Sequence, residues 1–256
     1  MRRPALTVFA LTLVATAACG TDNDQTWTDS DADTVAVAPT PEMRAQFTAM
    51  RSEVDSVMGH LRREVETRQQ AATGDTLEAW TDTYTKVADR RGDLLVRLDD
   101  LDRASVDDAR RIRRDVASDL ADLEADVVRQ KLRLGWDDQA SSADVEEHLV
   151  RLEQNLDTIE ARSRAIHAGA TAQRQPGEQR QYDDASRHIP STDDIRSLRE
   201  DIHEARRDAA ELRMATRDDR RDRMDNVSNQ VADLTRDVRT HWYNVRYSFM
   251  GTGMRR

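Results

Sequence analysis

Residues 101–127 read LDRASVDDARRIRRDVASDLADLEADV, and residues 212–238 read LRMATRDDRRDRMDNVSNQVADLTRDV. Superposed without a gap at an offset of 111, the two stretches agree at eleven of twenty-seven positions. Among these are Leu101/Leu212, Asp107/Asp218, Asp108/Asp219 and the run Ala121-Asp122-Leu123 over Ala232-Asp233-Leu234. Chance and a shared helical pattern would give roughly three or four, so the chain contains an internal duplication.

Outward from the repeat, apolar residues recur three and four apart, the spacing that lines one face of a helix. Six segments carry it. The first runs through Phe47, Met50, Val54, Val57, Leu61 and Val65, and the second through Leu77, Trp80, Tyr84, Val87, Leu94 and Leu98. Arg91 is the one charge in that second seam, expected either in an ion pair or as a snorkelling stem at the bundle edge. The third has Ile112, Val116, Leu120, Leu123 and Val127; the fourth Val145, Leu149, Leu152, Leu156, Ile159 and Ile166. The fifth has Ile195, Leu198, Ile202, Ala205, Ala209 and Leu212, and the sixth Val227, Val231, Leu234, Val238, Trp242 and Val245.

Helix starts follow from side chains that accept a hydrogen bond from a free first-turn N–H, with an acid three residues on. Asp75/Glu78, Ser105/Asp108, Ser141/Asp144, Ser191/Asp194 and Thr216/Asp219 have that spacing, and Thr40-Pro41-Glu42 gives a proline-first start. Gly74, Gly135 and Gly169 are expected to end the first, third and fourth helices. The first helices of the two copies also align, at an offset of 102, through Met50/Leu152, Val54/Leu156 and Val57/Ile159.

The fold class expected is therefore all-α: tandem duplicated three-helix antiparallel coiled-coil-like bundles, over 42–134 and 142–250, with a long loop at 169–190. The plan is similar in outline to spectrin-like three-helix repeats, without a residue-level match. Turns are expected at Ser105 and Thr216. Neither joint holds a Gly or Pro, which leaves room for continuous helices over 76–134 and 192–250, each about 85 Å long.

Composition agrees with long solvated helices. Charged residues are 34% and aromatics 4% of the 256, and the net charge is −10. A phosphate-binding surface needs a concentrated positive field, so nucleic acid is not an expected partner. Of 39 basic residues only Lys86 and Lys131 are lysine.

The first twenty residues give an address. Arg2 and Arg3 precede an apolar run, Ala5–Ala18, of signal-peptide length. It ends Thr16-Ala17-Ala18-Cys19-Gly20, which resembles the lipobox of bacterial lipoproteins, with Thr16 where an aliphatic residue is usual. The resemblance covers these twenty residues and implies removal of 1–18 as a signal peptide and lipidation of Cys19. Cys19 is the only cysteine, so no intrachain disulfide can form. Gly20 after the cysteine implies, by analogy with Gram-negative sorting, an outer-membrane address facing the periplasm. Residues 19–41 form an acidic, solvated tether. Within it Asp29, Asp31 and Asp33 imitate half of a calcium loop, but Thr34 and Thr40 stand where the turn glycine and the bidentate Glu belong.

A search for chemistry finds little. Glu200-x-x-His203 lacks the second copy a di-metal bundle site needs. There is no zinc, phosphate-loop or serine-nucleophile pattern. No catalytic residue, metal site or cofactor is expected, and the protein is not read as an enzyme. The aromatic end of the sixth segment stands out: either Trp242 and Phe249 cap the core of the second unit with Tyr243 and Tyr247 at its rim, or Trp242, Tyr243, Tyr247 and Phe249 form a surface for another chain or a membrane interface. At an offset of 111 Trp242 replaces Lys131 and Phe249 replaces Asp138, which argues for a contact the first copy lacks. The expected role is a membrane-anchored envelope protein, structural or adaptor, that binds a protein partner or itself through helical surfaces. A periplasmic chaperone or envelope-stress sensor is the first rival, and a helical-bundle metal protein or enzyme the second.

Overall fold

The computed structural model describes residues 41–101, 103–134, 140–171 and 186–247, and every secondary-structure element among them is a helix. The order is α1 (Pro41–Ala71), α2 (Gly74–Asp100), α3 (Val106–Leu134), α4 (Ala140–Thr171), α5 (Thr192–Met214) and α6 (Arg217–Tyr247). The signal segment, Cys19, the tether as far as Thr40, and Phe249 lie outside the described residues.

Both joints are turns. The Asp108 N–H donates to Ser105 Oγ at 3.1 Å, and the Asp219 N–H donates to Thr216 Oγ1 at 3.4 Å. Each hydroxyl thus satisfies an N–H that would have no partner in the first turn. Continuous helices over 76–134 and 192–250 do not form. Ala215 is extended (φ −70°, ψ 149°), which ends α5 cleanly. At Ser191 the capping box is complete, because Ser191 Oγ accepts from the Asp194 N–H and Asp194 accepts from the Ser191 N–H at 2.8 Å. With Asp75 and Ser141 as caps the helices would begin at 76 and 142; each begins two residues earlier, α2 at Gly74 and α4 at Ala140. Gly74 has φ +57°, the left-handed region that glycine enters without strain, and it turns the chain tightly out of α1. α4 continues past Gly169 to Thr171.

Each copy is a three-helix bundle. α1 and α2 run antiparallel, with Arg91 paired to Asp55 at 3.0 Å and Arg51 donating to the Leu98 carbonyl at 2.6 Å. α2 returns into α3 beside Arg97–Asp119 at 2.6 Å. In the second copy Arg199 bridges Asp157 and Glu160, each at 2.7 Å, and Arg206 grips Glu153 and Glu146, which fixes α5 against α4. Such exposed pairs contribute about 0.2–1 kcal/mol each, so they set register more than stability. Stability comes from the seams: Val145, Leu149, Leu152, Leu156, Ile159 and Ile166 on α4 are all at most 1% exposed.

The third helices of the two copies are also packed on each other. α3 and α6 lie antiparallel along their length, held at the edges by Arg133–Asp225 at 3.0 Å and Arg236–Asp122 at 2.5 Å. Both helices carry a buried stripe of small residues, Ala117, Ala121 and Ala125 on α3 and Ser228, Ala232 and Thr235 on α6, none more than 2% exposed. Small side chains let two helix axes approach to about 8 Å. Because α3 and α6 hold the repeated stretch, the copies are related by an approximate two-fold axis passing near Glu124 and Thr235. Each third helix then reaches into the other copy. Leu132 of α3 belongs to the second core, and Tyr243 and Tyr247 of α6 belong to the first.

Candidate functional site

The aromatic end of α6 is where the two copies lock. Tyr243 and Tyr247 are 1% and 3% exposed, with parallel rings and centroids 6.1 Å apart. Each hydroxyl donates to a carboxylate that an arginine also holds. Tyr243 donates to Glu124 at 2.5 Å, and Arg239 lies 2.5 Å from the same carboxylate. Tyr247 donates to Glu53, with Arg246 at 2.8 Å. Burial pushes the Glu124 carboxyl up, against the opposing charge of Arg239 and the Tyr243 bond. Burial, with the neighbouring carboxylates, pushes both phenols well above the ordinary tyrosine range. Arg113, buried on α3, donates to the Tyr247 carbonyl and so satisfies the end of α6.

Tyr243 and Tyr247 have their partner within the protein, namely the first copy. Trp242 is half-buried between the two cores, and its ring carries the guanidinium groups of Arg162 at 5.5 Å and Arg246 at 5.9 Å. Phe249 is not among the described residues.

On the other side of the two-fold axis the equivalent place is open. A cleft of about 720 Å³ lies between α1, α3 and α4, bounded by Arg239 of α6. Its buried wall is Leu61, Val127 and Leu132, with Val57 and Val128 half-exposed. Five cationic side chains face it against three carboxylates. Lys131 is 3.2 Å from Glu64, Arg68 is 3.9 Å from Asp144, and Arg239 is held by Glu124. Arg151 leans only on Glu147 of its own helix, and Arg63 makes no ion pair with any described residue. His60 is exposed at the rim, while His148 is half-buried, its Nε2 2.8 Å from Thr235 Oγ1.

Lys131 and His60 hold in the first copy the positions of Trp242 and Arg162 in the second, at the offsets of 111 and 102. The comparison that singled out Trp242 in the sequence therefore points, in space, to a recess filled in one copy and open in the other. The cleft itself was not legible, because its lining comes from four helices and has no local motif.

Glu200 and His203 are both exposed on α5. No group of three or more His, Cys, Asp or Glu side chains among the described residues is placed to hold a metal ion. Comparison of the chain with protein-family models, with characterised proteins and with solved structures finds no significant match.

Proposed function

We propose that this protein is a lipid-anchored component of a bacterial cell envelope with a structural or adaptor role, presenting a rigid helical body to a protein partner or to a second copy. The observation that carries the reading is the apolar run ending Thr16-Ala17-Ala18-Cys19 behind Arg2 and Arg3. Its support is twofold. None of the described helices is long and apolar enough to cross a membrane, so an anchor at Cys19 has a task to perform. The two copies are interlocked through α3 and α6, which suits a body that must keep its shape while it bears a partner. Two or more acyl chains make such attachment stable, where one binds only marginally.

Membrane fractionation of a Cys19→Ala variant tests the anchor. The native chain is expected to pellet with membranes after a high-salt wash, and the variant to remain in the supernatant. A mature-sized variant that still pellets would place the anchor elsewhere and sink the proposal. In-cell cross-linking of the native chain tests the adaptor half; a chain recovered only as an uncross-linked monomer would argue against it.

A further inference from the structure

We infer that the cleft between α1, α3 and α4 is a binding site for a small amphiphilic anion, one carboxylate or phosphate head on a short apolar body. Three observations carry this.

The first is size and lining. About 720 Å³ is the volume of an ordinary small-molecule site, and such sites combine apolar walls with a few fixed polar groups. Leu61, Val127 and Leu132 make the buried wall, each at most 6% exposed. Lys131, Arg63 and Arg151 stand at the mouth.

The second is charge. The protein carries a net charge of −10, yet the cleft gathers five cationic side chains against three carboxylates. Arg63 spends none of its donors on a described carboxylate, and Arg151 is paired only with an exposed Glu147, 62% exposed itself. A guanidinium with unused donors beside an apolar wall suits the head of an amphiphile.

The third is the comparison between copies. In the second copy Trp242 holds the equivalent position, half-buried, with Arg162 and Arg246 over its ring. The fold thus closes well with an aromatic plug there, and the first copy has Lys131 in its place. The open recess is a difference between otherwise matching halves, and the residue that opens it carries the charge the ligand would need.

The test is calorimetric titration of a full-length Cys19→Ala chain, so that no detergent competes, with sodium octanoate as the probe. Saturable one-to-one binding is expected. Acetate, which has the head without the body, and 1-octanol, which has the body without the charge, should give no saturable heat at the same concentrations. Lys131→Trp, which restores the plug, and Arg63→Glu, which reverses a rim charge and leaves the shape, should each weaken octanoate by about tenfold or more, the loss expected for one charge-assisted hydrogen bond. If Lys131→Trp lowers the melting temperature, Arg63→Glu decides alone. Phosphatidylglycerol vesicles that compete with octanoate would assign the head to a lipid, and vesicles without effect would assign it to a free anion. No saturable octanoate binding, or native affinity in Arg63→Glu, overturns the inference.

Discussion

The proton on His148 can be placed by elimination. Thr235 has one hydroxyl hydrogen and donates it to the Val231 carbonyl at 2.7 Å, so His148 Nε2 must be the donor in the 2.8 Å contact between them. Burial, then the charges of Lys131, Arg239 and Arg151, lower the His148 pKa from 6.5 to about 4. The sign of the effect on stability follows from linkage. Between pH 6.5 and about 4 the unfolded chain takes up this proton and the folded protein does not, so stability falls as the pH drops through that window. The loss across the window is on the order of 2–3 kcal/mol. His148→Asn keeps a donor for Thr235 and removes the titration. Its urea midpoint should fall less than that of the native chain between pH 7 and pH 4.5, and equal falls would show that His148 is not the group responsible. In the sequence His148 has no partner pattern, since Thr235 is 87 residues away and only the packing of α4 on α6 joins them.

The helices were legible because they rest on local physics. Apolar spacing gave the seams, and Ser105, Ser191 and Thr216 gave three starts whose hydrogen bonds form as the spacing requires. What stayed hidden was the second buried face of α3 and α6. Ala, Ser and Thr carry little apolar signal, so a stripe of them reads as solvated surface until a second helix covers it. The same stripe contains a flaw that can be measured. Ser228 is 0% exposed and its hydroxyl has no hydrogen-bond partner among the described residues, while the first copy has Ala117 at that position. Ser228→Ala should raise stability by about 1 kcal/mol, as expected when a buried unpaired hydroxyl is removed without opening a cavity. Ala121→Leu, which wedges α3 from α6, should lower it by about 1–3 kcal/mol. Urea unfolding reads both. A loss of stability in Ser228→Ala would mean the hydroxyl has a partner, and a neutral Ala121→Leu would mean the two helices are not in close contact.

The two copies are tandem in sequence but crossed in space, and the aromatic cluster is where the crossing is tightest. Tyr243 and Tyr247 lie at the end of the second copy and were read as its rim or as a surface for another chain. Their carboxylate partners, Glu124 and Glu53, lie 119 and 194 residues earlier, in the first copy. No local pattern records such a pairing. Replacing both tyrosines by Ala should cost about 3–5 kcal/mol for each large ring lost, against a total stability of about 5–15 kcal/mol. Amide exchange should then show α1 and α2 losing protection, while α4 and α5, which share a core through Ile195, Leu198 and Ile202, keep theirs. Loss of protection confined to α4 and α5 would contradict the crossed arrangement.

The lock also imposes an order in time. Ribosomes add about 5–20 residues per second, so the chain from Phe47 to Tyr243 takes about 10–40 s to make. Through that interval the first core lacks two of its side chains and the hydrogen-bond partners of Glu53 and Glu124. The early helices can pack on one another in that interval, but the first core is complete only once the far end of the chain has emerged. Should the chain cross a membrane before it folds, as the proposed anchor at Cys19 requires, the delay would keep the early residues pliable for the passage.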